Sequence, residues 1–148
     1  MKPKFWKLSH GTEFFTHQAL LDAIERKLVY VHKDTHAKGT SPKQQGQNFL
    51  EAAVGEYFYL THGNNGIYLL GQFSGPANIF SAMGAGWLDR PFRYIKSSST
   101  RDRYSGLKKW WAPSDHSTFM SVPDGELAVF EECILKPYFE IALADFGI

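Results

Sequence analysis

The residues of this chain best suited to chemistry are aromatic and basic, and they fall together. The stretch GAGWLDRPFR, residues 84–93, sets Trp87 in a glycine-rich segment just ahead of Arg90 and Arg93. From Arg90 to Lys109 the basic residues Arg90, Arg93, Lys96, Arg101, Arg103, Lys108 and Lys109 are opposed only by Asp102. At the end of that run, Lys108-Lys109-Trp110-Trp111 places two indoles beside two ammonium groups. Aromatic faces stack on nucleobases and cationic side chains meet phosphates, so this mixture suits a nucleic-acid surface. Each member also has a plainer reading. Trp87 could be a loop anchor plugging the mouth of a barrel, Trp110 and Trp111 a groove wedge or loop ballast, and the cations a solubilising face. Neighbours on an extended segment point opposite ways. One of Trp110 and Trp111 is therefore expected to be exposed.

Other chemistries find less support. Ser9-His10 invites a hydrolase reading, but adjacent residues on a strand face opposite sides. There is no Gly-x-Ser-x-Gly elbow and no Gly-x-x-x-x-Gly-Lys-[Ser/Thr] phosphate loop. His32 and His36 stand four apart, but a zinc site wants about four spaced ligands, no cysteine pair exists, and Lys33 and Lys38 would repel a cation. No catalytic set, metal or cofactor is expected. Three polar residues remain of interest. Asp34 and His32 can hydrogen-bond a base edge, and Ser9 can donate or accept. Asp34, followed by Thr35, serves equally well as a turn or cap residue.

The chain has 148 residues, enough for one domain with a single core. Its 43% hydrophobic and 21% charged residues are those of a globular protein rather than a disordered one. Cys133 is the one cysteine, so no internal disulfide forms, and a reducing, cytoplasmic setting is expected. Its side chain is expected to be buried on a helix. No run approaches the roughly 20 apolar residues of a membrane span. Net charge is +1 but unevenly spread: residues 2–43 carry eight basic and four acidic residues. From Asp115 onward seven acidic residues face only Lys136. This polarity suggests one basic and one acidic face, the former suited to a polyanion.

Hydrophobic periodicity supplies the elements that must hold these residues. Lys4–Leu8 reads as a strand. Leu20, Leu21, Ile24 and Leu28 recur at helical spacing within 12–28, with Thr16 as N-cap. Leu28–His32 reads as a second strand. Ser41-Pro42-Lys43-Gln44 predicts the start of a short helix running to Ala53. EYFYLTHGNNGIYLLGQFSGP predicts a hairpin of two central antiparallel strands about a Gly-Asn-Asn-Gly turn. Residues 76–91 are expected as a loop, Phe92–Lys96 as a strand, 97–117 as a long loop and Ser117–Val122 as the last strand. A final helix starts near 121–124, buries Leu127, Phe130 and Ile134, and ends or kinks at Pro137. Trp6 lies opposite in parity to Ser9 and is assigned to the core. About six strands and three helices predict an α+β domain on a curled, barrel-like mixed sheet.

The run FWKLSHG, a helix, VHKDTHAKG, a short helix, VGEYFYLTHGNNGIYLLGQFSGP, and Trp87 before a strand together resemble the EVE domains of the PUA-like superfamily, which also holds the YTH domains. The aromatic strand ending in serine is Phe5, Trp6 and Ser9; the Gly-acidic pair opening the hairpin is Gly55-Glu56; its glycines run from Gly66 to Gly71. With SVPDGELAVFEE included, the likeness extends to the EVE-like N-terminal specificity domains of Mcr-type modification-dependent restriction GTPases. It covers most of the chain. It implies a single module, residues 1–148, forming the N-terminal part of a longer protein. It also implies an aromatic-walled pocket for a modified base, carried by position onto Ser9, His10, Tyr30, His32, Asp34 and Trp87. VHKDT stands where YTH domains have a tryptophan.

The expectation is a non-enzymatic DNA-binding module that flips a modified base, methylated in the first instance, into that pocket. Lys33, Lys38, Arg90, Arg93, Arg101, Arg103, Lys108 and Lys109 would meet the phosphate backbone. The expected partners are modified double-stranded DNA, RNA as a variant, and the GTPase motor and nuclease of a restriction complex, with no membrane. An RNA-modification reader of YTH type, a small enzyme on a nucleoside derivative and a protein-interaction domain are the alternatives.

Overall fold

A computed structural model describes residues 3–38 and 43–148. Six strands form one sheet: β1 (Phe5–Ser9), β2 (Leu28–His32), β3 (Tyr57–Thr61), β4 (Ile67–Phe73), β5 (Trp87–Ser97) and β6 (Phe119–Ser121). Their order is β2-β5-β4-β3-β1-β6. β1 and β3 run parallel and the other pairs antiparallel, so the sheet is mixed. The sheet curls into a half-barrel carrying helices, the α+β architecture expected of a PUA-like domain. The hairpin strands β3 and β4 sit centrally, as the Gly-Asn-Asn-Gly turn predicts. Register shifts in both ladders of β4 mark where the sheet bends.

Both sheet faces are covered, so β1 is buried at all five positions. On one face Trp6 stacks on Phe119 at 4.2 Å, among Leu8, Phe58, Leu60 and Phe73. On the other, Phe5, Tyr59 and Trp111 pack against the final helix through Phe130, Ile134 and Phe139. Lys7 lies between them without exposure, its Nζ donating to the Asp115 carbonyl and the Ser117 hydroxyl at 2.8 Å each. Burial lowers its pKa to about 7, against the raising effect of Asp115.

α1 (His17–Arg26) begins where Thr16 Oγ1 accepts the Ala19 N–H, the cap read from sequence. Lys27, with φ +56°, ends it and leads straight into β2. α2 (Gln45–Glu51) is a helix of seven residues, too short to persist alone. Of its anticipated start, Ser41-Pro42 lies outside the described residues, and Lys43 and Gln44 precede the first turn. α3 (Leu127–Phe130) follows a 3-10 turn and continues as a π-helix from Glu131 to Phe139. Pro137 sits inside that helix rather than ending it, and Glu140, at φ +55°, closes it. Cys133 is only partly buried on it. Among the described residues no helix is long and apolar enough to cross a membrane.

Two placements differ from expectation. β5 begins at Trp87, five residues before the anticipated Phe92, so Trp87 opens a strand instead of lying in a loop. Pro91, the last residue of the expected 76–91 loop, sits instead where β5 changes partner. Residues 87–91 pair with β2, whereas 92–97 pair with β4. Arg90, expected at phosphate, is 1% exposed. Its guanidinium donates to the carbonyls of Phe49 and Ala52 at the end of α2 and of Gly75 in the loop after β4. It also lies 4.4 Å from the Phe73 ring centroid. The first two carbonyls are acceptors that a helix end leaves unpaired, so Arg90 is a structural clamp. Replacing it as Arg90→Met orphans three acceptors, two of them buried. Urea unfolding should show a loss on the order of 3 kcal/mol, whereas a surface phosphate contact would leave stability unchanged.

Candidate functional site

The site forms where the end of β1, the end of β2 and the start of β5 meet. Cross-strand pairing sets Trp87 opposite His32. Gly86, at φ +83°, precedes Trp87, and a Cβ there would lie 2.6 Å from His32 Nε2. The glycine therefore lets the imidazole lie across the strand end, 5.2 Å from the indole and at 85° to it. Phe15 and Phe14 meet the same indole edge-on, at 6.0 and 5.9 Å. Phe15 stacks in turn on His10 at 4.2 Å and 10°, with Tyr30 6.2 Å away. His10, Tyr30, His32 and Trp87, drawn from distant parts of the chain, thus form one aromatic cluster.

Trp87 is only partly buried by these contacts. Away from them it borders a groove of about 470 Å³, whose lining includes Lys33, Gly46, Gln47, Leu50 and Ile79. Leu50 and Ile79 are both exposed. A flat ring could lie there against indole and aliphatic carbon with an ammonium group at the rim.

Hydrogen bonds assign the imidazole tautomers. Asp34 N–H donates to His32 Nδ1 at 3.2 Å, so that nitrogen carries no proton and Nε2 does. The Asp34 carboxylate stands 3.9 Å from Nδ1 and is exposed. The backbone contact makes Asp34 the turn residue that aims His32. Tyr30 N–H donates to His10 Nε2 at 3.1 Å, which leaves the proton of a neutral ring on Nδ1. That atom is buried without a hydrogen-bond partner among the described residues. Burial, reinforced by His62, lowers the His10 pKa from 6.5 to about 3.

Other anticipated residues lie elsewhere. Ser9 is turned to the β3–β4 hairpin, where its Oγ accepts the Gly63 N–H at 3.2 Å, and does not join the aromatic cluster. Arg93 is exposed and bonded to Gln72. Arg101 lies over the Tyr68 ring, 4.5 Å from its centroid, and Arg103 is exposed. Lys38, Lys108 and Lys109 line a separate groove beside Trp110. Phe14 and Phe15 were not anticipated. Their signal was present in the adjacent pair after Ser9-His10-Gly11, where a loop has no need of two large apolar rings.

No protein-family model matches the chain, and no curated protein sequence matches it. Its fold is similar to the crystal structure of protein Atu2648 from Agrobacterium tumefaciens, with a TM-score of 0.51 at 13% identity, covering 88% of this chain and 90% of that one. A hypothetical protein from Leishmania major aligns over 88% of this chain and 93% of its own, with a TM-score of 0.45 at 12% identity. The first likeness shows a shared fold and no more.

A neutral, buried His10 has a measurable consequence. Its folded pKa lies below the ordinary value, so the stability it supports is complete above pH 6.5 and is lost as pH falls towards 3. In urea unfolding between pH 5.5 and 4, the wild type should lose about 1.4 kcal/mol per pH unit more than His10→Asn, which cannot titrate.

Proposed function

We propose that this chain is an EVE-like, DNA-binding module that recognises a modified base, methylated in the first instance, by flipping it from the duplex onto Trp87. In this reading it belongs to a modification-dependent restriction system, and its GTPase motor and nuclease lie on other domains or partners in the cytoplasm. The carrying observation is the setting of Trp87. Three rings hold its indole edge-on, while another part of it borders an open groove with Lys33 at the rim. An indole plugging a barrel mouth would be covered by its own chain.

The energies fit a reader that needs more than stacking. Extruding a base costs a few kcal/mol, and stacking on an aromatic ring returns about 1–3 kcal/mol. The remainder falls to phosphate contacts, for which the exposed Lys33, Arg93, Arg103 and Lys108 are available. Arg90 is spent within the fold. Ser9 serves the hairpin turn, and Asp34 contributes by orienting His32. Recognition then rests on Trp87 and His32, with Tyr30, His10 and Phe15 behind them.

Fluorescence anisotropy tests this with matched duplexes that are unmodified or carry 5-methylcytosine, 5-hydroxymethylcytosine or N6-methyladenine. One modified duplex should bind more tightly than the unmodified one. Trp87→Ala should remove roughly tenfold or more of that preference and leave weak, salt-sensitive binding. A preference unchanged by Trp87→Ala would overturn the pocket. Tighter binding to modified RNA than to DNA would move the reading to the YTH type.

A further inference from the structure

The two adjacent tryptophans divide their roles sharply. Trp111 is buried against Phe130, its Nε1 donates to Glu126 at 2.7 Å, and its carbonyl accepts the Tyr59 hydroxyl. Trp110, pointing the other way, is 50% exposed. The backbone that presents it is fixed from beneath. The Ser117 hydroxyl donates to the Trp110 carbonyl, and Lys7 holds both Ser117 and the Asp115 carbonyl. Trp110 is therefore a flat apolar face on a rigid support.

Beside it runs a groove of about 600 Å³, lined among others by Lys38, Lys108, Lys109, Asp115 and Glu126. Its two acids are already engaged. Glu126 takes the Trp111 N–H and lies 3.7 Å from Lys109, and the Asp115 carboxylate takes the Ser117 N–H. Among the described residues Lys38 and Lys108 are in no ion pair. An exposed indole flanked by uncommitted ammonium groups combines a stacking platform with an electrostatic track, which is the chemistry that binds single-stranded nucleic acid without reading sequence. An acidic peptide would use the lysines but would leave the indole without a partner of its own kind.

We propose that the Trp110 groove is a second nucleic-acid site, which holds an unpaired strand by stacking one base on Trp110 and placing its phosphates against Lys38 and Lys108. It rests on the reading of the chain as a nucleic-acid binder, and it requires neither a modified base nor Trp87. The segment 33–38 joins the two grooves, with Lys33 at the Trp87 end and Lys38 at the Trp110 end. A strand opened by base flipping at Trp87 thus has a place to go.

The test is binding of a fluorescein-labelled, unmodified oligo-dT, read by anisotropy at several salt concentrations. Measurable affinity that falls with salt is expected. Trp110→Ala should weaken it on the order of tenfold with unchanged thermal unfolding. Lys38→Ala with Lys108→Ala should flatten the salt slope by about 1.4, the value for two phosphate contacts on a single strand. No binding of oligo-dT, or affinity within twofold of wild type in Trp110→Ala, overturns the proposal. Equal loss in Trp87→Ala would place the strand at the other groove, and displacement by poly-glutamate at matched charge would make the groove a site for acidic protein. Modification preference is measured separately on duplexes, so loss of the Trp87 reading and loss of this one are told apart.

Discussion

The structure depends on how α2 is held across the open side of the half-barrel. A seven-residue helix contributes little stability of its own. Gln45 fixes its start: the side-chain carbonyl accepts the Thr118 and Phe119 N–H groups of the β6 edge, and the amide donates to the His36 carbonyl after β2. Arg90 fixes its end through Phe49, Ala52 and Gly75. Gly46 lets the helix close on β2, since a Cβ there would come within 2.3 Å of the Lys33 carbonyl oxygen. The clasp thereby ties the β2 edge of the sheet, which its own ladder already holds to β5, to the β6 edge. α2 borders the Trp87 groove and the β6 strand it is tied to borders the Trp110 groove, so the fold and the candidate sites share one constraint.

Much of the architecture was legible because it rests on local signals. The Gly-Asn-Asn-Gly turn, the Thr16 cap and the Leu20–Ile24 spacing each declare an element without reference to the rest of the chain. One exposed and one buried indole at 110 and 111 were anticipated, although the pair lies in a turn and not on a strand, and Trp6 is buried as every β1 position is. The start of β5 was not legible, because Pro91 and the glycines punctuate a segment whose pairing changes partner partway. Proline is tolerated there only through that tertiary arrangement. Arg90 was misread for a related reason. Its neighbours in a basic run suggest solvent, while its true partners are carbonyls some 15 to 41 residues away. Ser9 was placed by analogy of position, and its hydroxyl faces the hairpin instead.

The candidate pocket rests on an arrangement of rings rather than on charged machinery. His10 and His32 are both placed by backbone N–H donors, and both use one nitrogen as an acceptor. The ring contacts with Trp87 are T-shaped and none is stacked. Little is reorganised when a ligand arrives at such a wall, which lowers the cost of ordering.

Two indoles left partly in water on one small domain call for a physical explanation. The fold does not require them to be apolar. A lysine at 110 would leave the Trp111 anchor untouched, because the bonds that hold this segment come from backbone carbonyls, Ser117 and Lys7. At 87 a smaller residue would still pair with His32 through its backbone. Each ring therefore keeps apolar area in water that the core could do without, on backbone made rigid by buried hydrogen bonds. A rigid support with an unsatisfied face is the condition in which stacking yields most, since a ligand gains contact area while the protein loses little freedom. Trp87 and Trp110 share that condition, and their separate grooves are joined by the lysines of the loop between them.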